Sequence, residues 1–147
     1  MELRLASEDE DLQFLYQTRK HPDVDKMLTG AAPEDYQEHL RYIKIVQEEI
    51  RWIFVAVVDN VPVGYSQVYN VTREQLEVGF VIHPDFQGKG FGKEIVKSTI
   101  TKALEFFPDR KISLYVKKEN LKAISIYHKL DFVDKGFQDD TIYMEME

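Results

Sequence analysis

A chain of 147 residues is long enough for one domain with a substantial core and too short for two ordinary ones, so a single domain over residues 1–147 is expected. Hydrophobic residues at 44% and charged residues at 31% make a soluble balance, and no apolar run approaches the roughly 20 residues of a membrane helix. The net charge of −7 comes without any basic stripe, which argues against nucleic-acid binding, and the lack of cysteine excludes disulfides, thiolate catalysis and cysteine-ligated zinc.

Leu3 to Ala6 reads as a first strand. Ser7, before the acidic run Glu8 to Asp11, predicts an N-cap and a first turn that complements the helix dipole. Leu12, Leu15, Tyr16 and Arg19 continue that helix until His21-Pro22, because the residue before a proline avoids the helical region. Residues 21 to 33, with Gly30 and Pro33, are expected as a loop. Pro33 then starts a second helix with an apolar stripe at Tyr36, Leu40, Ile43, Val46 and Ile50. The continuous apolar run Trp52 to Val58 predicts a strand buried on both faces. Asp59-Asn60 predicts a tight turn into its hairpin partner, Pro62 to Tyr69, and a turn near Thr72 to Glu74 leads to a strand at 76–82.

After the glycine-rich run 87–93, Phe91, Ile95, Val96, Ile100, Leu104 and Phe107 form a long helical stripe that ends before Pro108. Ile112 to Val116 reads as a strand. Asn120 caps another helix, with Leu121, Ile124, Tyr127 and Leu130 on one face. Phe132 to Phe137 and Thr141 to Met146 form a closing antiparallel pair, and the alternating Ile142 to Met146 is expected to present an edge for pairing with a second copy, so that monomer and homodimer both stay open. The order β-α-α-β-β-β-α-β-α-β-β describes an α/β (α+β) layered domain with a mixed sheet.

The run Gln87-Gly88-Lys89-Gly90-Phe91-Gly92-Lys93 carries most of the functional information. A strand ends, a glycine-rich turn exposes backbone N–H groups and a helix begins. The first N–H groups of a helix lack partners and its dipole favours negative charge, so such a turn is an anion site. The spacing narrows the anion. A Walker loop requires Ser or Thr after its lysine, whereas Lys93 is followed by Glu94; a dinucleotide fingerprint requires Gly-x-Gly-x-x-Gly, whereas the glycines fall at 88, 90 and 92.

The turn resembles the Gln/Arg-x-x-Gly-x-Gly/Ala pyrophosphate loop of the GCN5-related N-acetyltransferase (GNAT) superfamily, with Gln87, Gly90 and Gly92 at its defining positions and Lys89 and Lys93 adding charge. The segment Asn120 to Phe132 resembles a second pattern of that superfamily, Asn-x-x-Ala-x-x-x-Tyr-x-x-x-Gly-Phe, through Asn120, Ala123, Tyr127 and Phe132; Asp131 stands where glycine is usual. The element order is similar throughout, so the resemblance covers essentially the whole chain. It implies a mostly antiparallel sheet flanked by helices, acetyl-coenzyme A (acetyl-CoA) as co-substrate and transfer of acetyl to a primary amine by direct attack in a ternary complex.

It also implies roles. Gln87 to Lys93 would hold the pyrophosphate, and backbone groups at Val81, Ile82 and His83 would meet the pantetheine and the acetyl oxygen. Tyr127 would donate a proton to the departing thiolate, a modest uphill step between a tyrosine near pKa 10 and a thiol near 8.5. On its apolar stripe Tyr127 also reads as a core aromatic. Asn120 is a cofactor contact, an N-cap or both. Glu77 shares a strand face with Gly79 and Val81 and is either a solvent-facing residue or the base that takes the amine proton. His21, His39 and His128 lack metal-ligand spacing with one another, so no metal is expected.

The acceptor is less legible. An acidic chain mildly favours a cationic substrate such as an amine, although many soluble proteins carry such a charge for solubility alone. Thr18 to Val24 and Glu38-His39-Leu40 resemble a subgroup that acetylates nucleotide-linked amino sugars, such as the 4-amino sugar of the pseudaminic acid pathway, although Arg19-x-His21-Pro22 also reads as a basic helix end with a stop. A protein N-terminal or lysine acetyltransferase and a non-catalytic coenzyme A sensor are the alternatives. Met1 to Leu5 has no signal pattern, so a cytoplasmic location is expected, with no membrane partner.

Overall fold

The computed structural model describes residues 1–28, 32–48 and 52–147. Among the described residues seven strands form one sheet: β1 (Glu2–Leu5), β2 (Trp52–Val58), β3 (Val61–Tyr69), β4 (Gln75–Ile82), β5 (Lys111–Lys117), β6 (Phe132–Gln138) and β7 (Thr141–Met146). Their spatial order is β1-β2-β3-β4-β5-β7-β6. Only β4 and β5 run parallel; all other neighbours are antiparallel, as the resemblance implied.

Helices α1 (Asp9–Lys20), α2 (Pro22–Asp25) and α3 (Tyr36–Glu48) precede β2, while α4 (Phe91–Phe106) and α5 (Leu121–Lys129) flank β5. Two apolar cores result. One joins Val78 and Ile82 of β4 to Ile95, Val96 and Ile100 of α4 and to Ala123 and Tyr127 of α5. The other joins Val55, Tyr65 and Val81 to Leu15 of α1, Val24 of α2 and Ile43 of α3. Helices therefore cover both faces, which is why β2 is buried along its whole middle, as its apolar run required.

Local chemistry explains the elements and several departures. Asp59 and Asn60 both take positive φ, 51° and 65°, and close the β2–β3 hairpin. The segment expected as loop contains α2, because Pro22 opens a turn that the His21 ring caps by accepting the Asp23 N–H at 3.2 Å. Helix α3 starts at Tyr36 rather than Pro33, since the Asp35 carboxylate accepts the Glu38 N–H at 2.8 Å and is the better cap. Glu8, not Ser7, is the N-cap of α1, and its side chain makes no capping bond. On α5 the buried face runs through Ala123, Tyr127 and Leu130, while Leu121 at the first position is 72% exposed. Gly30 and Ile50, and the Val46 side chain, lie outside the described residues.

The expected edge is not an edge. Strand β7 pairs with β5 on one side and β6 on the other, so its backbone groups are used and β6 closes the sheet. No helix among the described residues is long and apolar enough to cross a membrane.

Candidate active site

The site grows from a split in the sheet. Parallel pairing between β4 and β5 covers only Gln75 to Glu77 against Lys111 to Ser113. Beyond that rung β4 runs on to Ile82 along β3, and β5 runs on to Lys117 along β7. A wedge-shaped cleft opens between them.

Register decides which groups face the cleft. The His83 N–H donates to the Val63 carbonyl at 2.9 Å, and Ile82 lies opposite Gly64. Because antiparallel bonding alternates, Gly79, Val81 and His83 turn their backbone groups toward β3, while Val78, Phe80 and Ile82 turn theirs toward the cleft. Of the three residues expected there, Ile82 turns its backbone groups toward the cleft, and Val81 and His83 turn theirs toward β3. Phe80, which the sequence pattern did not single out, shares the orientation of Ile82. Alternation marks one parity along β4, but only the register says which.

The Gln87 side chain donates to the Ile82 carbonyl at 3.2 Å and ties the loop to the strand end. Gly88 and Gly90 have φ of 79° and 83°, and an added Cβ at either would meet nothing within 4 Å. Both therefore answer a backbone requirement while leaving open space above the loop. Gly90 is the N-cap of the 16-residue α4 and carries no side chain to occupy its first N–H groups at Phe91, Gly92 and Lys93. Gly92 has a different reason to be glycine: a Cβ there would lie 2.7 Å from Ile126 Cδ1 and 3.2 Å from Phe80 Cε2. Lys89 and Lys93 are exposed beside the turn, with Lys89 Nζ 5.6 Å from the centre of the Phe86 ring. Uncapped amides, room above two left-handed glycines and two lysines fit a pyrophosphate.

A cavity of about 440 Å³ joins this cleft to the helices on the other face. Phe80, Val116, Lys117, Asn120 and Tyr127 line its cleft end. The Asn120 side chain caps α5 by accepting the Ala123 N–H at 3.3 Å, so it is a cap and a cavity wall together. Tyr127 is 4% exposed, with ring edges against Phe80 and Phe132 at 5.7 and 5.5 Å. Burial, with the neighbouring Tyr69 adding to it, pushes its hydroxyl well above the ordinary tyrosine range. Proton donation is thus further uphill than the unperturbed value implied, and the hydroxyl stays protonated at neutral pH.

At the other end the lining comes from α1, α3 and β3: Arg19, His39, Tyr65, Gln67 and Tyr69 among apolar Leu15, Ile43 and Ile53. Arg19 is bonded to Asp25 at 2.6 Å and holds that carboxylate below its usual range. His39 is 4% exposed and forms a three-ring cluster with Tyr16 and Tyr36, at 5.6 and 6.0 Å from them. Burial pushes its pKa down, against the weaker opposing effect of a hydrogen bond the ring donates to the Leu12 backbone, so the ring is neutral at pH 7. Its Nε2 has no hydrogen-bond partner among the described residues.

Glu77 is nine-tenths buried and accepts a 2.5 Å bond from Asn70 Nδ2. It lines a second cavity of about 540 Å³ with Asp139, Asp140 and Thr141. Tyr69 and Tyr115 wall both cavities. Glu77 and Tyr127 thus line different cavities, which share Tyr69 and Tyr115. Among the described residues no three His, Asp or Glu side chains gather as a metal site.

A profile described as "Acetyltransferase (GNAT) domain" matches residues 1–133. The protein named Acetyltransferase PseH from Campylobacter jejuni is 27% identical over 133 residues, covering 87% of this chain and 83% of its own. A crystal structure of the Campylobacter jejuni N-acetyltransferase PseH in complex with acetyl coenzyme A superimposes with a TM-score of 0.80 at 21% identity, over 99% of this chain and 97% of that one. Spermidine N-acetyltransferase from Vibrio cholerae, in complex with CoA and spermine, gives 0.87 at 23% identity, over 99% and 94%. At these identities the two structures share the fold with this chain.

Proposed function

This chain belongs to the acetyltransferase (GNAT) domain family, an acetyl-CoA-dependent N-acetyltransferase, and from that premise we propose that its acceptor is the primary amine of a nucleotide-linked amino sugar. The observation that carries the reading is the acceptor end of the cleft cavity. His39, Tyr65, Gln67 and Tyr69 offer uncharged hydrogen-bonding groups between apolar walls, a lining suited to a polyhydroxylated ring. Glu38 is the one carboxylate among the described residues that line this cavity, which suits a polycation less well. The resemblance of the Arg19-x-His21-Pro22 and Glu38-His39-Leu40 segments to amino-sugar enzymes supports the same reading.

In this scheme the amine attacks the thioester carbonyl directly, without a covalent enzyme intermediate. The N–H groups of Phe80 and Ile82 meet the pantetheine and the acetyl oxygen, and the 87–93 turn holds the pyrophosphate. Glu77 receives the amine proton through water from its side of Tyr69, and Tyr127 hydrogen-bonds the leaving sulfur and delivers its proton. The chain works as one domain in the cytoplasm.

A polyamine acceptor is the second reading, favoured by the carboxylates Glu77, Asp139 and Asp140 around the second cavity. Thiol release from acetyl-CoA separates the readings over a panel of a nucleotide-linked 4-amino sugar, spermidine and an N-terminal peptide. Saturable release with the sugar alone is expected. Saturation by spermidine selects the second reading, saturation by the peptide selects a protein acetyltransferase, and tight coenzyme A binding with no release from any acceptor marks a sensor.

A further inference from the structure

Six glycines lie among the described residues, and five have a structural reason to lack a side chain. Gly88 and Gly90 adopt positive φ. A Cβ on Gly64 would meet the Val81 carbonyl at 2.3 Å, and one on Gly92 would meet Ile126 at 2.7 Å. Gly136 sits at the irregularity where β6 slips its register against β7. Gly79 has none of these reasons. It lies in an unbroken stretch of the β3–β4 ladder opposite Gln67, its φ is not positive, and an added Cβ would touch only Tyr69, at 3.8 Å to Cε1 and 3.9 Å to the hydroxyl, both ordinary contacts.

A glycine inside a strand loses packing and costs conformational entropy, and it marks a bulge, a bend or the close approach of something else. No bulge occurs here, and the neighbouring strand atoms leave room. The remaining explanation is a ligand. Gly79 lines the cleft cavity, and it shares a strand face with Glu77 on one side and Val81 on the other. Tyr69, which walls both cavities, is its nearest neighbour.

We propose that Gly79 determines acceptor specificity: the open space over its Cα, beside the Tyr69 hydroxyl, is the passage through which the acceptor carries its amine to the thioester. The inference rests on the transferase reading above and takes that acceptor as its first substrate. A methyl group at this position narrows the passage without disturbing the fold, because the ladder conformation accepts alanine and loses the extra freedom of glycine in the unfolded chain.

The test compares wild type with Gly79→Ala and Gly79→Val in acceptor kinetics, acetyl-CoA binding and thermal unfolding. The expected result is a melting temperature equal to or above wild type for Gly79→Ala, an acetyl-CoA Kd within twofold, and an acceptor KM raised tenfold or more, with Gly79→Val worse than Gly79→Ala. Propylamine, a slim amine supplied at high concentration, should lose less than threefold; a merely structural defect would depress both acceptors alike. Acceptor KM within twofold of wild type in both variants, or equal losses for slim and bulky amines, overturns the proposal. Should wild type turn over spermidine and not the amino sugar, the sugar reading fails by itself, and the same variants measured with spermidine still decide the role of Gly79.

Discussion

Glu77 lies opposite Ser113 in the last rung that joins β4 to β5, and beyond it the two strands share no ladder. The carboxylate thus sits at the branch point of the sheet, where it accepts a hydrogen bond from Asn70. Glu77→Gln keeps the bond from Asn70, because the amide oxygen still accepts, and removes the basic group. The expected outcome is a fall in kcat of about 10²-fold, the lower range for a lost general base, with acetyl-CoA affinity retained. Unchanged turnover in steady-state kinetics would transfer the proton to bulk water.

Tyr127→Phe keeps the ring contacts with Phe80 and Phe132 and deletes the hydroxyl alone. Turnover is expected to fall roughly 10²- to 10⁴-fold, with acetyl-CoA binding and melting temperature preserved. The raised pKa adds a second expectation. A group held above the usual tyrosine range stays protonated as pH rises, so wild-type kcat should show no loss from this group up to about pH 10, the unperturbed tyrosine value.

The loop glycines separate by phenotype. Gly90→Ala places a side chain at φ 83°, a left-handed strain of about 1–2 kcal/mol, and should raise the acetyl-CoA KM as the turn relaxes. Gly92→Ala drives a Cβ against Ile126 and Phe80, so the α4–α5 contact should lose about 1–3 kcal/mol of stability through overpacking. Urea titrations and coenzyme A binding on the same two variants distinguish a ligand turn from a packing glycine.

Asp131 occupies the position where the related pattern has glycine, and its φ is 70°. Aspartate tolerates that region better than most residues but still pays a left-handed penalty. Asp131→Gly should therefore stabilise the fold by up to about 1 kcal/mol without touching activity, as measured by chemical denaturation.

His39 makes stability depend on pH with a defined sign. Its folded pKa lies below the ordinary 6.5, so the unfolded chain binds more protons between those two values. The contribution is present above pH 6.5 and is lost as pH falls through the folded value. His39→Asn should remove this acid sensitivity, so that the difference in unfolding free energy between wild type and variant narrows from pH 7 to pH 5.

The chain itself announced its seven strands, its helices other than the short α2, the glycine-rich turn at 87–93 and the Asn120–Tyr127 helix, because these depend on local things: the period of apolar residues, a capping side chain, glycines at fixed offsets. Tertiary structure alone decided the rest. The register of β3 against β4 turns Phe80 and Ile82 to the cleft and Val81 to the neighbouring strand, and nothing within β4 records that choice. Insertion of β7 between β5 and β6 uses the edge that its alternation offered. Burial of His39 and Tyr127, and the placing of Glu77 and Tyr127 on different cavities, arise from packing between segments far apart in sequence. Periodicity and caps are short-range and leave their mark in neighbouring residues; strand order, register and burial are set by contacts that exist only once the whole sheet has closed.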